Sequence, residues 1–287
     1  LLQVRCVQVV KRRPGAALQD VNREKGRRVV LWRHGRTEWN AAGRFQGQTD
    51  IDLDATGRRQ AVHAARLLAA LAPDLIVSSD LRRAVDTATV LARLTDRTME
   101  TDPRLRETYA GKWQGLTGAE IAERYPGDYG AWRAGDPELR VGGGESRADV
   151  AARMADAITD AAARLPESGL AVLTTHGGAA RLGVAKLVGL PLERFTNLGG
   201  LSNCSWSMVA DSTHGWVLVE HNAGTLPEPV ASVSVGLAPE RISLDYDGPY
   251  LFLLPLDPAI TGRLFVVGQS GTLYVVTFKV GTPADDV

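Results

Sequence analysis

The sequence predicts an α/β fold: a three-layer sandwich around a mainly parallel sheet, followed by a small C-terminal β module. Three observations carry this. Short apolar runs alternate with Ala- and Leu-rich stretches of helical spacing between residues 27 and 224. Two of those runs end in a His-Gly pair, at His34-Gly35 and His176-Gly177. After Asn222 the helical spacing stops, and apolar runs broken by Gly, Pro and Asp take over.

Arg27-Arg28-Val29-Val30-Leu31-Trp32 is short, apolar and followed by Gly, which predicts a buried strand with a functional loop at its C-terminal end. Residues 55–71 have helical spacing, with Thr56 as the expected N-cap. Asp74 to Ser79 reads as a second strand, and 81–94 as a helix capped by Ser79 or Asp80. Thr101 to Trp113 reads as irregular. Thr117 to Tyr125 reads as a short helix stopped by Pro126-Gly127. A glycine loop, Gly142 to Glu145, precedes a long Ala-rich helix from Ser146 to Leu165. Leu170 to Thr174 is the third strand, 179–188 a helix, and 204–210 and 215–222 the closing strands. His63, His214 and His221 match no motif and read as surface or structural residues.

The domain reading is an N-terminal tail over 1–26, a main domain over 27–224, a linker over 225–235 and a small β-rich module over 236–287. The 287 residues are enough to bury a large core. Lys+Arg and Asp+Glu both number 33, which argues against a general nucleic-acid or membrane binder but leaves room for a local basic pocket. Two cysteines, Cys6 and Cys204, do not make a disulfide framework. No run approaches the ~18 apolar residues of a membrane span, and the first 26 residues lack the order of a signal peptide. The expectation is a cytoplasmic protein with no nucleic-acid or membrane partner.

Both His-Gly pairs follow predicted strands, and ligands of open parallel sheets bind beyond those strand ends. Arg33 adjoins His34, and Arg83 sits early in the helix after Ser78-Ser79-Asp80. Two arginines, two histidines and helix N-terminal amides suit a single phosphate, since guanidinium offers paired donors and stays charged.

Arg33-His34-Gly35-Arg36-Thr37-Glu38-Trp39-Asn40 resembles the RHGxTxxN signature of the histidine phosphatase superfamily, the phosphoglycerate-mutase-like enzymes. Ser78 to Ala84, Arg104-Leu105-Arg106-Glu107 and His176-Gly177-Gly178 follow in the family's order, so the resemblance covers about residues 27–224. It implies that His34 is the nucleophile, forming a phosphohistidine, that Arg33 and Arg83 hold phosphate oxygens, and that His176 donates to the developing charge. Glu107 would protonate the leaving alkoxide and then activate water. Asn40, Gln46, Gly47, Gly177 and Arg36 are implied substrate-binding residues, with Glu145 a weaker pocket candidate. No metal or cofactor is implied.

Within the superfamily, Glu107 to Thr117 resembles the compact form of phosphatases, without the insertion of mutases. Gly43 to Asp50, Asp102 to Glu107, Gly143 to Ser146 and Leu198 to Trp206 resemble the actinobacterial glucosyl-3-phosphoglycerate phosphatases. That implies a small phosphorylated metabolite as partner and a homodimer. The alternatives are a broad-specificity or α-ribazole phosphatase, a phosphoglycerate mutase, and a non-enzymatic phosphate-binding module. Tyr250 to Pro258, Arg263 to Val267 and Gly271 to Phe278 weakly resemble the β domain of type IV secretion channel subunits.

Overall fold

The computed structural model describes residues 26–224 in full and the strand backbones of 8–12, 261–267 and 273–279. The chain divides into two units, one of Glu24–Ala231 and one that joins Leu1–Arg23 to Ser232–Val287.

The larger unit runs β1 (Arg28–Arg33), α1 (Glu38–Ala41), α2 (Ala55–Ala69), β2 (Leu75–Ser78), α3 (Arg82–Thr95), β3 (Glu100–Thr101), α4 (Gly118–Arg124), α5 (Pro126–Ala134), α6 (Arg147–Ala163), β4 (Leu170–Thr175), α7 (Gly177–Leu187), β5 (Trp206–Ser212) and β6 (Gly215–Ala223). Its sheet has the order β3-β2-β4-β1-β5-β6. The first four strands in that order are mutually parallel, and β5 and β6 close the sheet as antiparallel neighbours. This is the α/β sandwich that the sequence predicts.

The central strands are apolar on both faces because both faces are covered. Val29, Leu31, Ala171 and Leu173 point to one side, where Val150, Met154 and Ile158 of α6 and Leu182 and Val184 of α7 complete a core. Val30, Trp32, Ile76 and Val172 point to the other, against Ala61, Ala65 and Leu68 of α2 and Leu91 of α3. A third cluster, Ala110, Trp113, Ile121 and Val141, with Phe45, Tyr129 and Trp132 against it, sits in the segment between β3 and α6.

Three local expectations are corrected. Asp54, not Thr56, caps α2: its carboxylate accepts from the Gly57 N–H at 2.7 Å. Neither Ser79 nor Asp80 caps α3; Leu81 is the cap residue, and the Asp50 carboxylate accepts from the Arg82 N–H at 2.8 Å instead. α4 does stop before Pro126, but that residue then opens a further helix, α5, at a position where its missing N–H costs nothing. Ser146 caps α6 in a reciprocal box with Asp149.

In the smaller unit, Leu273–Lys279 lies between Gln8–Arg12 and Thr261–Val267, antiparallel to both. The stretch read as an N-terminal tail thus contributes a strand. The apolar runs at 230–237 and 250–256 lie outside the described residues, as does Cys6.

Candidate active site

Parallel pairing brings the strand ends together. Arg33 of β1 is in register with Thr175 of β4, and the His34 N–H donates to the Thr175 carbonyl at 3.0 Å. The two imidazole rings therefore lie with centroids 5.0 Å apart. A cavity of about 330 Å³ opens beyond these strand ends, lined among others by Arg33, His34, Asn40, Gln46, Gly47, Arg83 and Glu107. The sequence-predicted residues converge there from β1, the loop around α1, α3 and the loop after β3.

His34 is buried, and its Nδ1 lies 2.7 Å from the Gly35 carbonyl oxygen. A carbonyl only accepts, so Nδ1 carries the proton and Nε2 keeps its lone pair. Burial pushes the imidazole well below the usual histidine value, and the positive charges of Arg83 and Arg33 push the same way. The ring is thus neutral with an unprotonated Nε2, the state a nucleophilic histidine requires. Its loop is fixed from several sides. The Gly35 N–H donates to Thr87 Oγ1 at 3.1 Å, and Asn203 Nδ2 donates to the His34 carbonyl at 3.1 Å and to Asn40 Oδ1 at 3.2 Å.

Arg83 is fully buried and aimed by three contacts. Nη1 donates to the Thr49 carbonyl and Nη2 to the Gly47 carbonyl, both at 2.7 Å, and Nε donates to His176 Nδ1 at 3.3 Å. Burial brings its pKa down to about 10, so it remains charged at neutral pH. Arg33 donates from Nη1 to the Leu201 carbonyl at 2.5 Å, while its buried Nε has no protein partner. Burial lowers Arg33 as well, opposed by the charge of Glu107.

Glu107 is held by backbone amides. Oε2 accepts from Gly178 N–H at 3.0 Å, and Oε1 from Ala179 and Thr108 N–H, both at 2.9 Å. Two of these donors are unpaired amides at the start of α7, where the helix dipole favours a carboxylate. Gly178 has to be glycine for this approach, because a Cβ there would sit 2.7 Å from Glu107 Oε1.

Four expected residues are placed differently. His176 is fully buried and lies behind the cavity wall rather than on it. Arginine only donates, so Nδ1 accepts from Arg83 and Nε2 donates to Ser79 Oγ at 2.9 Å. Both ring nitrogens are thus engaged within the protein, and burial with the nearby Arg83 charge keeps the ring well below the usual value. Arg36 points away from the cavity and pairs with the α2 cap Asp54 at 2.7 Å. Gly177 is not on the cavity wall but beside Arg33, whose Nε is 3.2 Å from where a Cβ would stand. Glu145 likewise lies off the cavity. It pairs with Arg153 at 2.8 Å, and Arg153 donates to the carbonyls of Arg104, Arg106 and Glu107.

Sequence reasoning missed the supporting layer of Ser79, Thr87, Arg153 and Asn203. Thr37 belongs with it: its hydroxyl donates within reach of Gln46 Oε1 at 3.0 Å and caps α1. Among the described residues no three His, Cys, Asp or Glu side chains cluster as metal ligands.

A cavity at the C-terminal edge of a parallel sheet, lined by His34, Arg33, Arg83 and Glu107 with His176 directly behind the nucleophile, is the arrangement of a phosphoryl-transfer enzyme. The chain belongs to the histidine phosphatase superfamily, branch 1, which it matches over residues 29–224. It is 46% identical over 193 residues to the glucosyl-3-phosphoglycerate phosphatase of Mycolicibacterium vanbaalenii, covering 65% of this chain and 85% of that protein. The enzyme of the same name from Mycobacterium tuberculosis is also 46% identical over 193 residues, covering 65% and 86%. A solved structure of mycobacterial glucosyl-3-phosphoglycerate phosphatase in complex with VO3 superposes with a TM-score of 0.64 at 45% identity, over 69% of this chain and all of that one.

Proposed function

We propose that this chain is a metal-independent phosphomonoesterase that forms a phosphohistidine on His34 and converts glucosyl-3-phosphoglycerate to glucosylglycerate. The observation that carries the mechanism is the neutral His34, with Nδ1–H tied to Gly35 and Nε2 free beside Arg33, Arg83 and Glu107. The two mycobacterial relatives, both glucosyl-3-phosphoglycerate phosphatases, support the substrate.

Substrate phosphate docks against Arg33 and Arg83, which neutralise the charge of its oxygens. His34 Nε2 attacks phosphorus, and the bond to the substrate oxygen breaks. Glu107, acting as general acid, gives a proton to that oxygen and the alcohol leaves. The Glu107 carboxylate then takes a proton from water, and the resulting hydroxide displaces His34 and releases inorganic phosphate. His176 acts one layer back: it accepts from Arg83 Nε, holding that guanidinium in place, and packs beside the nucleophile.

A phosphatase panel tests this. Glucosyl-3-phosphoglycerate is expected to exceed 3-phosphoglycerate and p-nitrophenyl phosphate in kcat/KM, with chelator present throughout. Equal values would demote the enzyme to a general phosphatase, and transfer of phosphate between phosphoglycerate positions would make it a mutase.

A further inference from the structure

The cavity holds more positive charge than one phosphate needs. Besides Arg33 and Arg83 its wall includes Arg44, Arg147 and Arg181, whereas Glu107 is its single carboxylate. Arg44 is neutralised by Glu120 at 3.2 Å. Arg147 and Arg181 make no ion pair among the described residues, and every contact they make is to carbonyls or rings. Arg147, buried at the start of α6, donates to the carbonyls of Trp132 at 2.7 Å and Asp136 at 3.2 Å. Arg181 on α7 donates twice to the Leu198 carbonyl, at 3.0 and 2.6 Å.

Both guanidinium groups also lie against one ring, 4.7 and 4.8 Å from the centroid of Phe195. Two cations are therefore gathered on one aromatic side chain with no carboxylate in direct contact, Asp136 and Glu107 acting on them only from a distance. The ring and the carbonyls hold them in place but do not cancel their mutual repulsion. Burial lowers the pKa of each; at Arg147 the charge of Asp136 opposes this and that of Arg181 adds to it, and at Arg181 the charge of Glu107 opposes it. Like charges held together on a cavity wall are the signature of a site completed by an anion.

We propose that Arg147 and Arg181 form a second anion subsite, which takes the carboxylate of a phosphorylated hydroxy acid while Arg33 and Arg83 hold its phosphate. The proposal rests on the phosphatase reading for the placement of the phosphate. It names the substrate class as phosphomonoesters that bear a carboxylate, and it explains how a small cavity would reject neutral phosphorylated alcohols.

The test compares 3-phosphoglycerate with glycerol 3-phosphate, which differ by a carboxylate in place of a hydroxymethyl group. Titration calorimetry on the His34→Ala protein reads binding without turnover. The expected preference for 3-phosphoglycerate is about tenfold or more, the size of one charge-assisted pair. Arg181→Gln or Arg147→Gln, each added to that background, is expected to weaken 3-phosphoglycerate at least about fivefold more than glycerol 3-phosphate. Equal binding of the two ligands, or a preference that survives both substitutions, overturns the subsite. If Arg147→Gln does not fold, the parent preference and Arg181→Gln still decide. A wild-type protein that hydrolyses neither glucosyl-3-phosphoglycerate nor p-nitrophenyl phosphate would overturn the phosphatase reading, leaving the binding ratio to judge the subsite separately.

Discussion

At the scale of residues, the proposed catalytic set owes its properties to what surrounds each group. The proposal gives Glu107 two jobs, and its removal should separate them. Glu107→Gln still permits attack on p-nitrophenyl phosphate, whose leaving group needs no proton, but it slows release from phosphohistidine, which needs a base. A burst of about one p-nitrophenolate per site is expected, followed by turnover lowered about 10²–10⁴-fold. Rapid-quench or stopped-flow absorbance reads this, and a linear trace at the wild-type rate would remove Glu107 from the mechanism. His34→Ala is expected to give neither burst nor turnover. The two buried imidazoles also couple stability to pH. Both folded-state pKa values lie well below 6.5, so below that pH the unfolded chain binds protons that the folded one does not. Stability therefore falls on acidification, by up to about 1.4 kcal/mol per pH unit for each histidine, until the folded-state values are reached. Urea melts between pH 7 and 5 should show this slope, and it should be shallower in His34→Ala. A slope identical in the two proteins would mean His34 does not titrate as buried. His34, Arg33, Arg83 and Glu107 were legible from motif order. The direction of Arg36 was not, because adjacent residues on a turning loop point apart and nothing in the text marks Asp54 as its partner. The retreat of His176 behind the wall was hidden for the same reason: it depends on Ser79 and Arg83 reaching it from other elements.

At the scale of elements, the site depends on how closely the nucleophile loop approaches α2. A Cβ on Gly35 would fall 2.4 Å from the Gly57 carbonyl oxygen, and a Cβ on Gly57 would fall 2.1 Å from the Arg36 carbonyl oxygen. The two glycines let backbone meet backbone. Gly57 has an ordinary helical place in the first turn of α2, so the constraint is one of space. Gly57→Ala should push the loop off the helix, costing about 1–3 kcal/mol by overpacking and lowering kcat as His34 shifts. A urea midpoint and a kcat both at wild-type values would show the helix yields freely. Elements themselves were largely legible, since the 2-residue and 3.6-residue periods survive in buried strands and amphipathic helices. Their ends were less so. Thr56 and Asp54 are both good caps by composition, and only the fold selects Asp54. Pro126 reads as a stop or a start depending on which side the helix lies, and here α5 begins on it.

At the scale of the whole molecule, zero net charge conceals a cavity wall with five arginines and one carboxylate. Elsewhere arginines are held by carboxylates, as in Arg104 with Asp102 and Asp160, or Arg106 with Asp80, and the zero total means that the rest of the chain carries the offsetting excess of acid. The pairing of Gln8–Arg12 with Leu273–Lys279 joins segments more than 260 residues apart and leaves no local signal, so it could not be read from either end alone. It does, however, dictate how truncations behave. All six strands of the larger sheet, both of its cores and every residue lining the cavity fall within 26–224. A chain cut to 26–224 is therefore expected to keep kcat/KM on p-nitrophenyl phosphate within about threefold of full length. Leu273–Lys279 is the central strand of the smaller sheet, so removing 273–287 alone strips both neighbours of their partner. That half-cut should expose unpaired strand edges and promote aggregation, read by light scattering, while the clean cut stays dispersed. A 26–224 fragment that lost activity or precipitated as readily as the half-cut chain would show that the phosphatase unit needs the terminal segments to fold.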